Sequence, residues 1–204
     1  MIQIYGSAGS SAGRCYWTLE EVGVAYETVP VNFRNRDNKK PEFLQLNPNG
    51  KIPVMVDGDV ILWESMAIDH YLCEKYQTQL LGETLQDKAQ ILQWGFWSLA
   101  EYQKPLIEVF IQKVFVPEEH RDAKVIEKGI EKVLPLNHML NEHLAKREFM
   151  VGPSFTLADL HVASVAKICS AIGVDFATLP ALQSWLTRML ERPAAQRVAK
   201  LEAK

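Results

Sequence analysis

Asn47-Pro48-Asn49-Gly50-Lys51-Ile52-Pro53-Val54-Met55-Val56-Asp57-Gly58-Asp59-Val60-Ile61-Leu62-Trp63-Glu64-Ser65-Met66-Ala67-Ile68 is the stretch whose reading decides the fold. Asn-Pro-Asn-Gly is a strong turn signal, because Pro presets φ while Asn and Gly tolerate the left-handed region. The β-prone runs Pro53 to Val56 and Val60 to Leu62 flank Asp57-Gly58-Asp59, which reads as a tight hairpin. A helix then runs from Glu64 or Ser65 to about Tyr76, with Met66, Ile68, Tyr71 and Leu72 giving mixed apolar faces.

Upstream of this stretch the chain alternates in type. Ile2-Gln3-Ile4-Tyr5 has the period of a strand, Gly6 to Gly13 is a loop rich in Ser and Gly, and Cys15 to Val22 is helical up to Gly23, a C-terminal cap. Ala25 to Val31 reads as a second strand, a basic loop covers Arg34 to Lys40, and Pro41 opens a short helix to Leu46. The order β-α-β-α-β-β-α predicts a small mixed sheet with helices on its faces.

Downstream of about Gln77 the strand signals stop. Asp87 to Val114 has helical periodicity through Ile91, Leu92, Trp94, Trp97, Leu99, Tyr102 and Leu106, and Pro105 predicts a kink. Further helices are expected over 121–146, 156–172, 180–192 and 194–204. The expected organisation is α/β plus all-α. An N-terminal domain over 1–78 is joined, by a linker near 77–86, to an all-helical domain over 87–204.

Composition excludes several classes of function. The 204 residues carry 22 Lys and Arg against 25 Asp and Glu, a net charge of −3, with no basic stripe to track a nucleic-acid backbone or an anionic membrane. No stretch reaches the ~18 apolar residues of a membrane span, and Met1 to Tyr5 does not read as a signal peptide. Cys15, Cys73 and Cys169 are odd in number and far apart, as reduced cytoplasmic thiols are. The five histidines form no ligand cluster with them, so no metal is expected.

This α/β-then-helical division resembles the cytosolic glutathione transferases, serine-type and bacterial-like, over essentially the whole chain. Three motifs carry the resemblance. Tyr5 to Arg14, with Ser10 followed four residues later by Arg14, is similar to the family segment that opens the first helix. Lys39 to Val54 resembles the turn leading into a cis-proline strand, and Trp63 to Ile68 resembles the Glu/Gln-Ser-x-Ala-Ile helix start. The last two, about eleven residues apart, are the specific pair. In the helical half, Ser154 to Asp159 resembles the family's capping box, with Thr156 capping and Asp159 reaching back, a structural feature expected to stabilise by ~1 kcal/mol.

The resemblance implies a thioredoxin-like glutathione-binding domain, a helical-bundle domain holding a small hydrophobic electrophile, a homodimer, and conjugation of glutathione in detoxification. It implies that Ile52, ahead of a cis Pro53, pairs its main chain with the cysteinyl backbone of glutathione. Ser65 and Glu64 would meet the γ-glutamyl carboxylate and ammonium at a helix N-terminus, where unpaired N–H groups attract anions. Lys39 and Lys51 are candidates for the glycyl carboxylate, with Asn38 and Lys40 as substitutes, and Arg14 is expected as an anchor. Ser10 is the candidate catalytic donor to the glutathione sulfur; Ser11 and Tyr5 are alternatives. Tyr102, in an aromatic helix with Trp94, Phe96, Trp97 and Phe110, is the candidate for the electrophile pocket. The competing readings are a glutathione-dependent disulfide reductase or peroxidase, or a maleylacetoacetate isomerase, on the same fold. Ala12 stands where the isomerases carry Cys. A non-catalytic scaffold or binding module is the alternative of another class.

Overall fold

The computed structural model describes residues 1–76 and 79–202. The chain divides into two compact units, Met1–Leu81 with Glu191–Lys204, and Gly82–Leu190. In the first unit, β1 (Ile2–Tyr5), β2 (Tyr26–Val29), β3 (Val54–Asp57) and β4 (Val60–Trp63) form one sheet in the order β2-β1-β3-β4. β1 and β2 are parallel, with Ile2 opposite Tyr26, whereas β1–β3 and β3–β4 are antiparallel. The expected hairpin forms with Asp57 opposite Val60.

Helix α1 (Ala12–Val22) begins three residues earlier than expected and ends on Gly23 at φ 70, a left-handed conformation that lacks a Cβ penalty only in glycine. Together with α3 (Ser65–Tyr76) it covers the buried core of Ile4, Leu19, Val54, Met55, Ile68 and Leu72. Tyr16 in α1 donates its hydroxyl to the carbonyl of Gly6 at 2.6 Å, tying helix to strand end. Side chains alternate across a strand, so Tyr5 faces away from Ile2 and Ile4. On that side α2 (Pro41–Leu46) sets Phe43 edge-on to Tyr5, with centroids 6.2 Å apart.

The second unit contains α4 (Leu85–Trp97), α5 (Lys104–Phe110), α6 (Ala123–Leu144), α7 (Leu157–Ala166), α8 (Ile168–Ala171) and α9 (Pro180–Leu190). Helix α4 starts two residues before the expected Asp87, because Thr84 accepts from the Asp87 N–H at 3.0 Å and Asp87 accepts from the Thr84 N–H at 3.1 Å. Between α4 and α5, Ser98–Gln103 is π-helical. The irregularity predicted at Pro105 therefore lies in the turns ahead of it. Proline supplies no N–H to the helical ladder, and a wider turn absorbs the missing bond. The helix expected over 121–146 is shorter at both ends, with Asp122 capping it through the N–H groups of Lys124 and Val125. The one expected over 156–172 is divided at Lys167 into α7 and α8. Helix α7 is apolar on nearly every side and is buried against α4 and α9.

The capping box of Thr156 and Asp159 forms, and Asp159 does more than cap. Its buried carboxylate accepts from Thr156 N at 3.0 Å, Met150 N at 2.8 Å and Trp185 Nε1 at 3.0 Å.

The expectation that 194–204 belongs with the helical domain is corrected. Helix α10 (Pro193–Glu202) buries Ala194, Ala195 and Val198 and packs on α1. Arg192 holds Glu21 through two bonds of 2.7 and 2.8 Å, and Arg197 pairs with Glu20. The expected boundary at residue 78 and the linker's start at Gln77 lie outside the described residues.

Candidate active site

Everything the sequence motifs offered for glutathione lies in the first unit, around the N-terminus of α1 and the turn 47–53. The Ile52–Pro53 bond is cis. The Ile52 side chain turns toward the start of α1: a Cβ placed on Gly6 would meet Ile52 Cδ1 at 3.0 Å and Ala12 Cβ at 3.2 Å. Asn47 donates its side-chain amide to the Lys51 carbonyl at 2.7 Å, and Asn38 donates to the Gly50 carbonyl at 2.8 Å. These bonds clamp the turn between two segments. Gly50 sits at φ +61, and a Cβ there would stand 2.8 Å from the Asn38 carbonyl oxygen and 2.9 Å from Lys39 Nζ. Only glycine satisfies both the conformation and the space.

Lys39 therefore extends over Gly50, next to exposed Lys51. Among the described residues neither ammonium has an ion-pair partner. The two substitutes are corrected. Lys40 is closed onto Asp37 at 2.7 Å, and Asn38 is buried with its amide committed to the turn.

Glu64 has φ 71, a rare conformation for a residue with a side chain. Its carbonyl accepts from Ile68 N at 3.1 Å in the first turn of α3, while its side chain is exposed. Ser65 is buried, and Arg14 Nη1 donates to its hydroxyl oxygen at 3.3 Å. The anchor role expected of Arg14 is thus toward Ser65. Burial lowers the Arg14 pKa, and Asp69 opposes that shift. The acceptor bond leaves the Ser65 O–H free to donate. Cys15, one residue on, is fully buried, and burial together with nearby Asp69 raises its pKa well above the ordinary thiol range. It is held as a neutral thiol, unsuited to attack.

Ser10 and Ser11 both stand half-buried at the α1 N-terminus. Ser10 Oγ accepts from the Ala12 N–H at 3.1 Å and donates to the Ser7 carbonyl at 2.7 Å. Ser11 precedes the helix without a side-chain cap bond. Tyr5, the third donor considered, packs on Phe43.

In the second unit the aromatic segment is divided: Tyr102 is buried, Trp94, Trp97 and Phe110 are half-buried, and Phe96 is exposed. Trp94 meets Trp97 edge-on at 5.2 Å, and Trp97 stacks on Tyr102 at 5.3 Å. The expectation that Tyr102 lines an electrophile pocket is corrected. It is 0% exposed, and its hydroxyl is taken by Asn137 Oδ1 at 2.5 Å beside Cys169 Sγ at 3.5 Å. Burial pushes its pKa well up, which keeps the phenol protonated. The large apolar side chains left outside include Ile111, Val114 and Phe115, in a second π-helical turn (Ile111–Phe115), and Leu85, Leu92 and Phe96, on one stripe of α4, with Leu134 and Met139 on α6. The signal in the sequence for the second π-helical turn was the pair of short apolar stretches Val109 to Ile111 and Val114 to Val116 around Gln112-Lys113, but periodicity alone cannot tell an exposed end from core.

A four-stranded mixed sheet with a cis-proline turn beside a helix N-terminus, followed by a helical unit, defines a thioredoxin-like class of protein with an appended all-helical unit. Family models for the glutathione S-transferase N-terminal domain and C-terminal domain match residues 2–74 and 103–193. Glutathione S-transferase F10 of Arabidopsis thaliana is 36% identical over 85% of this chain and 83% of its own. Glutathione S-transferase 1 of Zea mays is 33% identical over 98% and 96%. Among solved structures, glutathione S-transferase-I bound with lactoylglutathione superposes with a TM-score of 0.90 at 32% identity, covering 98% of this chain and 99% of that one. The theta class glutathione S-transferase of Xanthomonas axonopodis pv. citri, with glutathione bound, gives 0.90 at 31% identity over 96% and 95%. The chain belongs to the glutathione S-transferase family, and its enzymatic class is that of a glutathione transferase.

Proposed function

We propose that the chain activates glutathione as its thiolate at Ser10 and conjugates it to small hydrophobic electrophiles. The observation that carries this reading is the convergence of Ile52 and the Arg14–Ser65 bond on the start of α1, with Lys39 reaching over the same turn. The Ile52 main chain pairs with the cysteinyl residue of glutathione. Ser65 donates to the γ-glutamyl carboxylate, Glu64 accepts from the ammonium, and Lys39 and Lys51 meet the glycyl carboxylate as point charges.

At the sulfur, Ser10 is preferred to Ser11 because it already accepts from the Ala12 N–H. When its hydroxyl turns from the neutral Ser7 carbonyl to a thiolate, the bond becomes charge-assisted and the N–H behind it polarises the O–H further. An ordinary thiol near pKa 8.5 is about 3% ionised at pH 7. Lowering that by about two units raises the thiolate population roughly 25-fold, while the weaker base loses roughly six- to tenfold in nucleophilicity. The net gain is a few-fold. Orientation of the electrophile must supply the rest, through effective molarity.

Within the helical unit itself, the apolar surface offered to a hydrophobic electrophile is the Ile111–Phe115 turn in place of buried Tyr102, since π-helical turns concentrate at functional sites and these side chains remain exposed. The regular stripe of Leu85, Leu92 and Phe96, and the edge strand β4 with exposed Val60, Ile61 and Trp63, are the faces by which two copies form a homodimer. Cys15, Cys73 and Cys169 are buried and, among the described residues, joined in no disulfide, which fits a reducing cytoplasm. Among the described residues no helix is long and apolar enough to cross a membrane.

The test is calorimetry of glutathione binding to wild type, Glu64→Ala, Ser10→Ala and Ser11→Ala, with chlorodinitrobenzene conjugation alongside. Expected are binding lost in Glu64→Ala, normal binding with slow turnover in Ser10→Ala, and little change in Ser11→Ala. Slow turnover in Ser11→Ala alone would move the donor to Ser11, and absence of wild-type binding would overturn the glutathione site.

A further inference from the structure

Between α2 and the Tyr5 side of the sheet lies an open crevice of about 350 Å³. That volume falls at the lower end of the range of about 300–1,000 Å³ typical of small-molecule sites. Its walls are apolar: Val29 at the end of β2, Val31 just beyond it, Phe43 and Leu46 from α2, and the ring of Tyr5. None of these residues belongs to the glutathione site proposed above.

The crevice's polar groups are few and their states are unequal. Asp37 accepts from Lys40 through one carboxylate oxygen at 2.7 Å and from the Asn32 N–H through the other at 2.9 Å, so this pair cancels in charge. Glu42 is exposed and, among the described residues, bonded to nothing. Lys40 lies within the field of Glu42 as well as of Asp37, so the two carboxylates and one ammonium leave one net negative charge at the mouth. The Tyr5 hydroxyl makes no hydrogen bond among the described residues, and the side chain is partly exposed, so its oxygen is open to a ligand.

We propose that this crevice binds small aromatic amines independently of glutathione. The ring lies against Phe43, Val29, Val31 and Leu46, the ammonium faces Glu42, and the Tyr5 hydroxyl accepts from the same ammonium. An apolar body with a positive end matches both the walls and the single free charge. The corresponding aromatic acid meets repulsion at Glu42 and gains no cation, because Lys40 is already closed onto Asp37.

The test is amide NMR of the full chain titrated with 2-phenylethylamine and, separately, with 3-phenylpropanoate, each with and without saturating glutathione. The amine is expected to shift the amides of Val29, Val31 and residues 42–46 saturably, and to do so equally with glutathione present. It should bind about fivefold more tightly than the acid, the scale of one exposed charge contact. Glu42→Gln should bring the two close to parity. Val31→Trp should abolish both while leaving glutathione binding intact; should that variant misfold, Glu42→Gln carries the test. Unsaturable shifts, equal binding of amine and acid to wild type, or displacement of the amine by glutathione would each overturn the proposal.

Discussion

Replacing Asp159 by alanine removes the common acceptor of three segments, and its cost can be worked from the bonds. Three buried donors lose their partner: Met150 N, Thr156 N and Trp185 Nε1. At about 1–3 kcal/mol for each unsatisfied group, the gross loss is about 6 kcal/mol. Against it stands the cost of burying the charge. Desolvation raises the Asp159 pKa from 3.8 to about 6, with the Met150, Trp185 and Thr156 bonds opposing. A tenfold change in proton affinity is worth about 1.4 kcal/mol, so removing the charged group returns about 3 kcal/mol at pH 7. The net destabilisation is then about 3 kcal/mol at pH 7, several times larger than the cap alone. Its pH dependence has a definite sign. Because the folded value lies above the unfolded one, the folded state holds more protons between about pH 4 and 6, and the wild-type contribution falls as pH rises through that window. The cost of Asp159→Ala should therefore be larger, about 6 kcal/mol, near pH 4. Urea unfolding followed by tryptophan fluorescence at pH 4, 5, 6 and 7 measures both quantities. A cost below about 1 kcal/mol at pH 7 would refute the orphaned-donor reasoning, and a cost that grows with pH would refute the assigned protonation.

Two further outcomes are expected. Gly129→Ala should destabilise by about 1–3 kcal/mol in thermal or urea unfolding, since a Cβ on that face of α6 would sit 2.3 Å from Val109 Cγ2 of α5 and force the helices apart. Glu64→Gly should raise stability by about 1 kcal/mol, by relieving the φ of 71, while weakening glutathione binding in calorimetry. A loss of both would mean that the Glu64 side chain supports the fold and not the ligand.

Local chemistry made much of this protein legible in its sequence. Gly23, the Asp57-Gly58-Asp59 hairpin, Pro41 and the Thr156–Asp159 box act within a few residues, and each forms as read. The Ile52–Pro53 turn and the Glu64–Ser65 helix start were visible as motifs, because turns and helix starts are built from backbone groups at short spacings. What the sequence could not reveal depends on neighbours far along the chain. Thr156 and Asp159 read as a local cap; only packing brings Met150 and Trp185 to the same carboxylate. Tyr102 has the chemistry of a pocket residue, but Asn137 and Cys169 enclose it. Lys39, Lys40 and Lys51 are alike in sequence, and Asp37 removes Lys40 from their number. Helix α10 carries a helical pattern that does not say where it docks; Glu20 and Glu21 of α1 decide that. Periodicity and turn chemistry thus determined the elements and the outline of the site. Burial and long-range pairing decided which side chains stay available, because desolvation and partner geometry are properties of the folded neighbourhood and not of the residue.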